Sequence, residues 1–474
     1  RKDALKYCKA LAKGRAADEL VEAYVDTGPE MVKYLEERTP LKFECASYPD
    51  YHPDMEGGHS GDSSRTLGAL IFNTNELGDS SANLRPNPIM SLPMNHTEME
   101  KWTALSRPYA IPFDIVKERM EAGFTGLGGA LMAPLYKGCL DRGIEPILNT
   151  RGLELFVADN RVIGLLAKQE DRDFHIGTNK GVILACGGFE WNEELKAQFL
   201  PCDITHPNSP PHNEGDGLKM VMALGADLGN MSENWGFISM VAPGAEYDGR
   251  QLSQACLAER SLPHSIIVNR KGKRFVNEAA NYNDMSKPFY ILDPNTCEQT
   301  NVPAWIILDQ QYFDNYTFMG VLPGSPVPDY VERAEKLDEL AQKAGMDPSG
   351  LSTTIKRFNE HVLKGSDPDF KRGESAYDQY YGDATQKPNP NLGTIEKSPF
   401  YALRVHSGSL GTKGGPKTNT KGQVLHVSGK PIPGLYAAGN VAAGVSGPSY
   451  WGGGATIGIS MVFGYIAGRH AAEQ

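Results

Sequence analysis

Glycines and other small residues crowd the end of this 474-residue chain, in the run GLYAAGNVAAGVSGPSYWGGGATIGISMVFGYIAG. An apolar strand over residues 434–438 runs into Gly439 and Asn440, and three glycines, Gly452, Gly453 and Gly454, open a helix at Ala455, Thr456 and Ile457. The first N–H groups of a helix lack partners within it and carry the positive end of its dipole. This start is therefore suited to hold negative charge developing on a bound ring system. The glycines let a large planar ligand come close to the backbone. A glycine-rich packing turn gives the same pattern, so the run alone leaves both readings open.

Other chemistries are thinly supported. The sequence has no H-E-x-x-H, G-x-S-x-G, Walker A or G-x-G-x-x-G motif. The eleven histidines are dispersed, with no pair at i, i+3 or i+4, so no metal site is expected. Seven scattered cysteines without a C-x-x-C pair argue against a disulfide framework and for a reducing compartment. Lys and Arg number 47 against 58 Asp and Glu, a net charge of −11, which disfavours nucleic-acid partners. With 40% apolar and 22% charged residues the chain is of globular composition. The uncharged stretch 452–468 is too short and too rich in small residues for a membrane span, which takes roughly 20 apolar residues. The first twenty residues are charged and helix-patterned, unlike a signal peptide. These features predict a cytoplasmic protein with no transmembrane segment, and leave association with a membrane surface open.

The elements that must position the C-terminal glycines follow from periodicity. Residues 3–38 predict three short amphipathic helices, and 129–142 a further helix. Residues 146–185 read as a meander of strands with a tight turn at Asp159 and Asn160, running into the turn CGGFEWN at 186–192. Residues 215–230 predict a helix and 265–278 a hairpin. Charged helices are expected over 329–345 and 349–364, the second opened by Asp347-Pro348-Ser349. The proline-rich run 386–399 predicts an ordered irregular loop.

Taken in order, PDYHPDMEGG (49–58), GGALMAPL (128–135), VILACGGFEWN (182–192), IIVNRKGKRFVNEAANY (266–282), KPNPNLG (387–393), LGTKGGPKT (410–418) and the C-terminal run resemble the flavoprotein superfamily of fumarate reductases and 3-ketosteroid dehydrogenases. The likeness covers nearly the whole chain and is greatest to the 3-ketosteroid Δ1-dehydrogenase branch. It implies an α/β fold with α+β elements: a Rossmann-like FAD-binding domain, here lacking its first βαβ unit, with an inserted α+β catalytic domain. The implied division is residues 1–245 and 411–474 for the FAD-binding domain and 246–410 for the catalytic domain. The family opens with a G-x-G-x-x-G turn that cradles the FAD pyrophosphate, so the resemblance implies about 70 residues ahead of Arg1, the βαβ unit itself taking at least ~30.

The resemblance also implies roles. FAD is the expected cofactor, contacting Gly129, Phe156, Ala185, Gly187, Asn440, Val441, Ala455, Thr456 and Ile457. Tyr450 and the N–H of Gly454 would bind a ketone oxygen, Tyr282 would accept a proton, and Tyr51 would hydrogen-bond to it. Twenty tyrosines occur in the chain, so the assignment rests on motif context. Fumarate reductases carry His-Thr-x-Gly-Gly where this chain has Gly411-Thr412-Lys413-Gly414-Gly415. Loss of that histidine disfavours a dicarboxylate substrate, and His406 is out of register to replace it. The implied activity is dehydrogenation of a 3-ketosteroid beside its carbonyl, with an unidentified electron acceptor. A desaturase or ene-reductase of a smaller cyclic ketone, and a noncatalytic flavoprotein-like subunit, are the alternatives.

Overall fold

The computed structural model describes residues 1–61, 65–89 and 91–474. Two helices open the chain, α1 (Lys2–Ala12) and α2 (Asp18–Arg38), where periodicity predicts three. The second and third run together because Pro29 sits inside α2 instead of ending it. An internal proline forfeits a backbone hydrogen bond. Tertiary packing offsets that loss: a Cβ at Gly28 would lie 3.9 Å from Val462 near the C-terminus, and the Tyr24 and Trp451 rings are 5.2 Å apart.

Helix α3 (Leu127–Leu140) buries Ala130 and Ala133 against Phe72 and Leu77. Strands β1 (Thr150–Ala158), β2 (Arg161–Gln169) and β3 (Arg172–Gly177) form the expected meander. Asp159 and Asn160 take φ of 48° and 59°, the two positive values that a tight hairpin turn requires. Residues 146–149 are irregular, with Ile147 and Leu148 exposed, although their composition predicts strand. β4 (Val182–Leu184) follows. Helix α4 (Asp216–Ala223) is shorter than the expected 215–230: Gly225 turns the chain at φ 70°, and Leu228–Gly229 pair with Gly415–Pro416.

The large sheet draws on β5 (Asn234–Tyr247), β6 (Arg250–Ala255), β7 (Ser265–Asn269), β8 (Ala304–Asp309), β9 (Glu332–Ala334) and β10 (Phe400–Thr412). Its order is β6-β5-β10-β8-β7, with β9 also on β10. It therefore begins at Asn234, ahead of the expected boundary after residue 245. SIIVN of β7 and AWIILD of β8 are apolar nearly throughout because both faces are covered. Ile266, Val268, Trp305 and Ile307 pack on helices α6 (Leu337–Ala344) and α7 (Pro348–Val362). Ile267, Ile306 and Leu308 face a second core rich in tyrosine, the alternation that a strand dictates. The expected helix 329–345 starts only at Leu337, because β9 precedes it. Asp347 caps α7 through Ser349 N–H at 3.0 Å. Between β7 and β8 lies α5 (Tyr282–Ser286), and α8 (Ala376–Tyr380) precedes the proline-rich loop.

Strands β11 (Gln423–Leu425) and β12 (Pro431–Ala437) lead into α9 (Ala455–Glu473). β12 pairs antiparallel with β11 and parallel with β4, Leu435 opposite Val182 and Ala437 opposite Leu184. A strand from before the large sheet is thus joined to one from after it.

Candidate active site

Three tyrosines from distant segments meet beside the start of α9. Tyr51 lies in an irregular segment held to the C-terminal run: its N–H donates to the Trp451 carbonyl at 3.3 Å, and Tyr7 Oη donates to the same oxygen at 2.6 Å. Tyr282 is the first residue of α5, whose cap Asn281 accepts from Asp284 N–H at 3.0 Å and donates to the Tyr51 carbonyl at 3.4 Å. Tyr450 precedes Gly452–Gly454 in the chain. The Tyr51 hydroxyl donates to Tyr282 Oη at 2.5 Å. Ring centroids are 5.2 Å apart for Tyr51–Tyr282, 4.9 Å for Tyr51–Tyr450 and 5.4 Å for Tyr282–Tyr450. All three are buried, walled by Trp235 at 4.6 Å from Tyr450 and Phe237 at 4.3 Å from Tyr282. Thr456 Oγ1 donates to Tyr450 Oη at 2.7 Å, which leaves the Tyr450 proton free to be given elsewhere. Gly454, the cap of α9, is exposed at φ 78°, and a Cβ built on it would meet nothing within 4 Å.

Burial raises all three phenols above their ordinary value, because the phenolate is the charged form. Neighbours then act in opposite directions. Next after burial, Tyr450 pushes Tyr282 up, whereas the Tyr51 hydrogen bond pulls Tyr282 down. Thr456 and Tyr282 both pull Tyr450 down. Lys413, at the position that follows Thr412 in the altered motif, is wholly buried. Its Nζ donates to the Ser449 carbonyl at 2.8 Å and lies 4.1 Å from the Trp235 ring centroid, and burial pushes the ammonium down to about 7. His406 faces His206 at 3.9 Å between centroids, away from the tyrosines, and burial lowers it to about 4.

The segments carrying Ala185, Gly187, Asn440, Val441 and the α9 start come together as one rim at the C-terminal ends of β4 and β12. Ala438 N–H donates to the Leu184 carbonyl at 3.0 Å. A Cβ on Gly217 would lie 2.6 Å from both Cys186 Sγ and Val441 Cγ2, and one on Gly439 would lie 3.1 Å from Ser460 Oγ of α9. Asn440 Oδ1 accepts from Trp235 Nε1 at 2.9 Å, which ties the rim to the tyrosine wall. Crevices outside the carboxyl ends of parallel strands are where open α/β sheets bind ligands. Ala185, Cys186, Ile183 and Ile457 expose apolar surface here, and Gly187, Gly439 and Gly454 keep positive φ without side chains. A flat, largely apolar ring system with a polar edge fits this rim. Phe156 and Gly129 lie apart from it. Phe156 stacks on His175 at 5.3 Å within the meander, and Gly129 sits in the first turn of α3, where a Cβ would collide with Thr125.

The sequence profile of the FAD binding domain matches residues 1–457. The chain belongs to this FAD-binding family. It is 38% identical over 480 residues to a 4-oxocyclohexanecarboxylate 2-dehydrogenase of Sinomonas cyclohexanicum, covering 99% of this chain and 82% of that protein. It is 38% identical over 497 residues to a 3-oxosteroid 1-dehydrogenase of Mycolicibacterium smegmatis, covering 98% of this chain and 85% of that one. The crystal structure of 3-ketosteroid delta1-dehydrogenase from Sterolibacterium denitrificans in complex with 1,4-androstadiene-3,17-dione matches with a TM-score of 0.92 at 34% identity, covering 100% of this chain and 89% of that one. The family has the fumarate reductase type of flavoprotein fold, and this member is an oxidoreductase with FAD as its cofactor.

Several residues of this FAD-binding protein's site escape a motif reading. Trp235 joins rim and triangle but sits in no quoted motif. Tyr48, three residues before Tyr51, hydrogen-bonds Tyr381 on the far side of the cluster, and its place in the same motif was the available signal. Thr456, expected at FAD, spends its hydroxyl on Tyr450. His361, Asp367 and Asp369 bring ligand atoms within 4.8 Å of one another, but Asp367 is committed to Arg274 at 2.8 Å and Asp369 to Arg357, so they form a charge network. Among the described residues no helix is long and apolar enough to cross a membrane.

Proposed function

We propose that this protein removes two hydrogens from a 3-ketosteroid, forming a carbon–carbon double bond beside the carbonyl. The observation that carries the reading is the triangle of Tyr51, Tyr282 and Tyr450 set against the open start of α9. Tyr450 Oη and the Gly454 N–H bind the ketone oxygen, withdraw electron density and acidify the neighbouring C–H. Two preorganised donors on a developing enolate act as an oxyanion hole, on the order of 3 kcal/mol each. Tyr282 Oη takes the α-proton. It needs phenolate character, which burial opposes and the Tyr51 hydroxyl supports. When Tyr450 gives its proton to the ketone oxygen, the Tyr450–Tyr282 interaction that raises Tyr282 weakens, so substrate binding itself favours the base. FAD, when bound, accepts the hydride. Trp235 and Phe237 keep water from the reacting carbons.

Ala185, Gly187, Asn440, Val441, Ala455, Thr456 and Ile457 are proposed to hold the flavin, with Gly129 and Phe156 further along the cofactor. The rim they form, with its parallel β4–β12 pair, supports a Rossmann-like reading of the FAD-binding domain, made of residues 1–245 and 411–474 around a catalytic insertion at 246–410.

A second reading, a smaller cyclic ketone, is favoured by the 38% identity to a 4-oxocyclohexanecarboxylate dehydrogenase over 99% of this chain. It uses the same polariser and base. Anaerobic mixing of the FAD-loaded protein with 4-androstene-3,17-dione and, separately, with 4-oxocyclohexanecarboxylate tests both. Bleaching of the flavin band by the steroid is expected. Bleaching by the monocyclic acid alone replaces the first reading with the second, and bleaching by neither overturns both.

A further inference from the structure

Arg260 is wholly buried, and its guanidinium is spent on carbonyl oxygens. Nε donates to Cys256 O at 2.8 Å, and Nη1 donates to Ala280 O at 2.8 Å and to Glu278 O. Nη2 has no hydrogen-bond partner. The two other deeply buried guanidiniums differ: Arg274 meets Glu278 and Asp367 at 2.6 and 2.8 Å, and Arg372 meets Glu278 at 3.3 Å. A buried cation without a paired carboxylate is strongly unfavourable unless its surroundings use its charge.

Its surroundings are the proton-accepting end of the site. Glu278 and Ala280, which take Nη1, immediately precede Asn281, the cap from which α5 launches Tyr282. Asn391 Nδ2 donates to Ser261 O at 2.9 Å and to Asp378 O at 2.7 Å, clamping the Arg260 segment against α8. On α8, the Tyr377 hydroxyl is buried and likewise without a hydrogen-bond partner. The Tyr377 ring lies 4.9 Å from that of Tyr51, at 67°, and Tyr51 donates to Tyr282.

We infer that Arg260 and Tyr377 are positioning residues for the proton acceptor: Arg260 holds the turn that launches Tyr282 and, through Tyr377, gives the phenol cluster the positive field that phenolate character requires. The inference rests on Tyr282 being the acceptor. Burial raises the Tyr377 phenol, and the Arg260 charge opposes that rise. The other groups facing the pair do not supply such a field. Cys256 and Glu259 beside the guanidinium are both pushed up by burial, as is Tyr381. Asp378, next to Tyr377, acts against phenolate, and Tyr48 and Tyr51 are themselves raised.

The test is the pH dependence of turnover in the FAD-loaded enzyme. Activity rises as the acceptor loses its proton, so weakening the positive field moves that rise to higher pH. Tyr377→Phe keeps the ring and removes the hydroxyl. It is expected to move the rising limb up by about half to one pH unit, and to slow α-hydrogen exchange about three- to tenfold at a fixed pH below it, with KM unchanged. Arg260→Met is expected to shift the limb at least as far, and Arg260→Lys, which keeps the charge, less far. Should Arg260→Met fail to fold, Tyr377→Phe alone decides. A wild-type limb in Tyr377→Phe, or an equal loss of turnover at every pH, overturns the inference. Tyr282→Phe is the control: wild-type exchange there removes the acceptor assignment itself, whereas abolished exchange there with no shift in Tyr377→Phe removes only the pair's role.

Discussion

The rim at residues 185–187 and 439–441 and the phenol triangle share the start of α9, yet they are made of different material. The rim is backbone, with glycines at positive φ and exposed small residues. The triangle is side chain, three buried hydroxyls brought from positions 51, 282 and 450. A backbone site is damaged by adding atoms and a side-chain site by removing them. The first should fail in cofactor retention and the second in chemistry per bound flavin.

Substitutions that break this distinction can be ranked by turnover per flavin. Tyr282→Phe should have the greatest effect, losing turnover and exchange of the ring α-hydrogen with deuterated solvent by about 10⁴-fold, the upper range for a removed general base, while the flavin spectrum is kept. Tyr450→Phe leaves the Gly454 N–H in place, so steady-state assays should show a fall of about 10²- to 10³-fold. Tyr51→Phe should cost about tenfold near neutral pH and move the rising limb to higher pH, because the hydrogen bond that lowers Tyr282 is gone. Gly411→Ala should have the smallest effect per flavin. Its Cβ would fall 2.3 Å from Asn440 Nδ2 at a φ of 153°, so purified protein should carry less FAD and melt earlier, with near-normal turnover for each flavin retained.

The rim was largely legible in the sequence because its information is local. Gly452, Gly453 and Gly454 before an apolar helix announce an open N-terminus, and α9 begins at Ala455 as its composition predicts. The Asp159-Asn160 turn and the Asp347 cap were legible for the same reason. The triangle was legible only through motif resemblance, since nothing local distinguishes Tyr51 from the other tyrosines. What escaped depends on contacts across hundreds of residues. Trp235 acquires its role from Asn440 and Tyr450, and Thr456 from the hydroxyl of Tyr450. Pro29 reads as a helix end until the C-terminal helix packs against α2. Residues 329–345 look uniformly helical, and the strand at Glu332–Ala334 exists because the long β10 offers it an edge.

The parallel pairing of β4 with β12 also sets an order of events during synthesis. Val182 is the partner of Leu435, so about 250 residues must leave the ribosome between them, which at roughly 5–20 residues per second takes about 12–50 s. Throughout that interval β4, with the apolar side chain of Ile183, waits without this partner while the large sheet has time to close. The half-built rim is therefore the part of the nascent chain that most needs shielding from other chains.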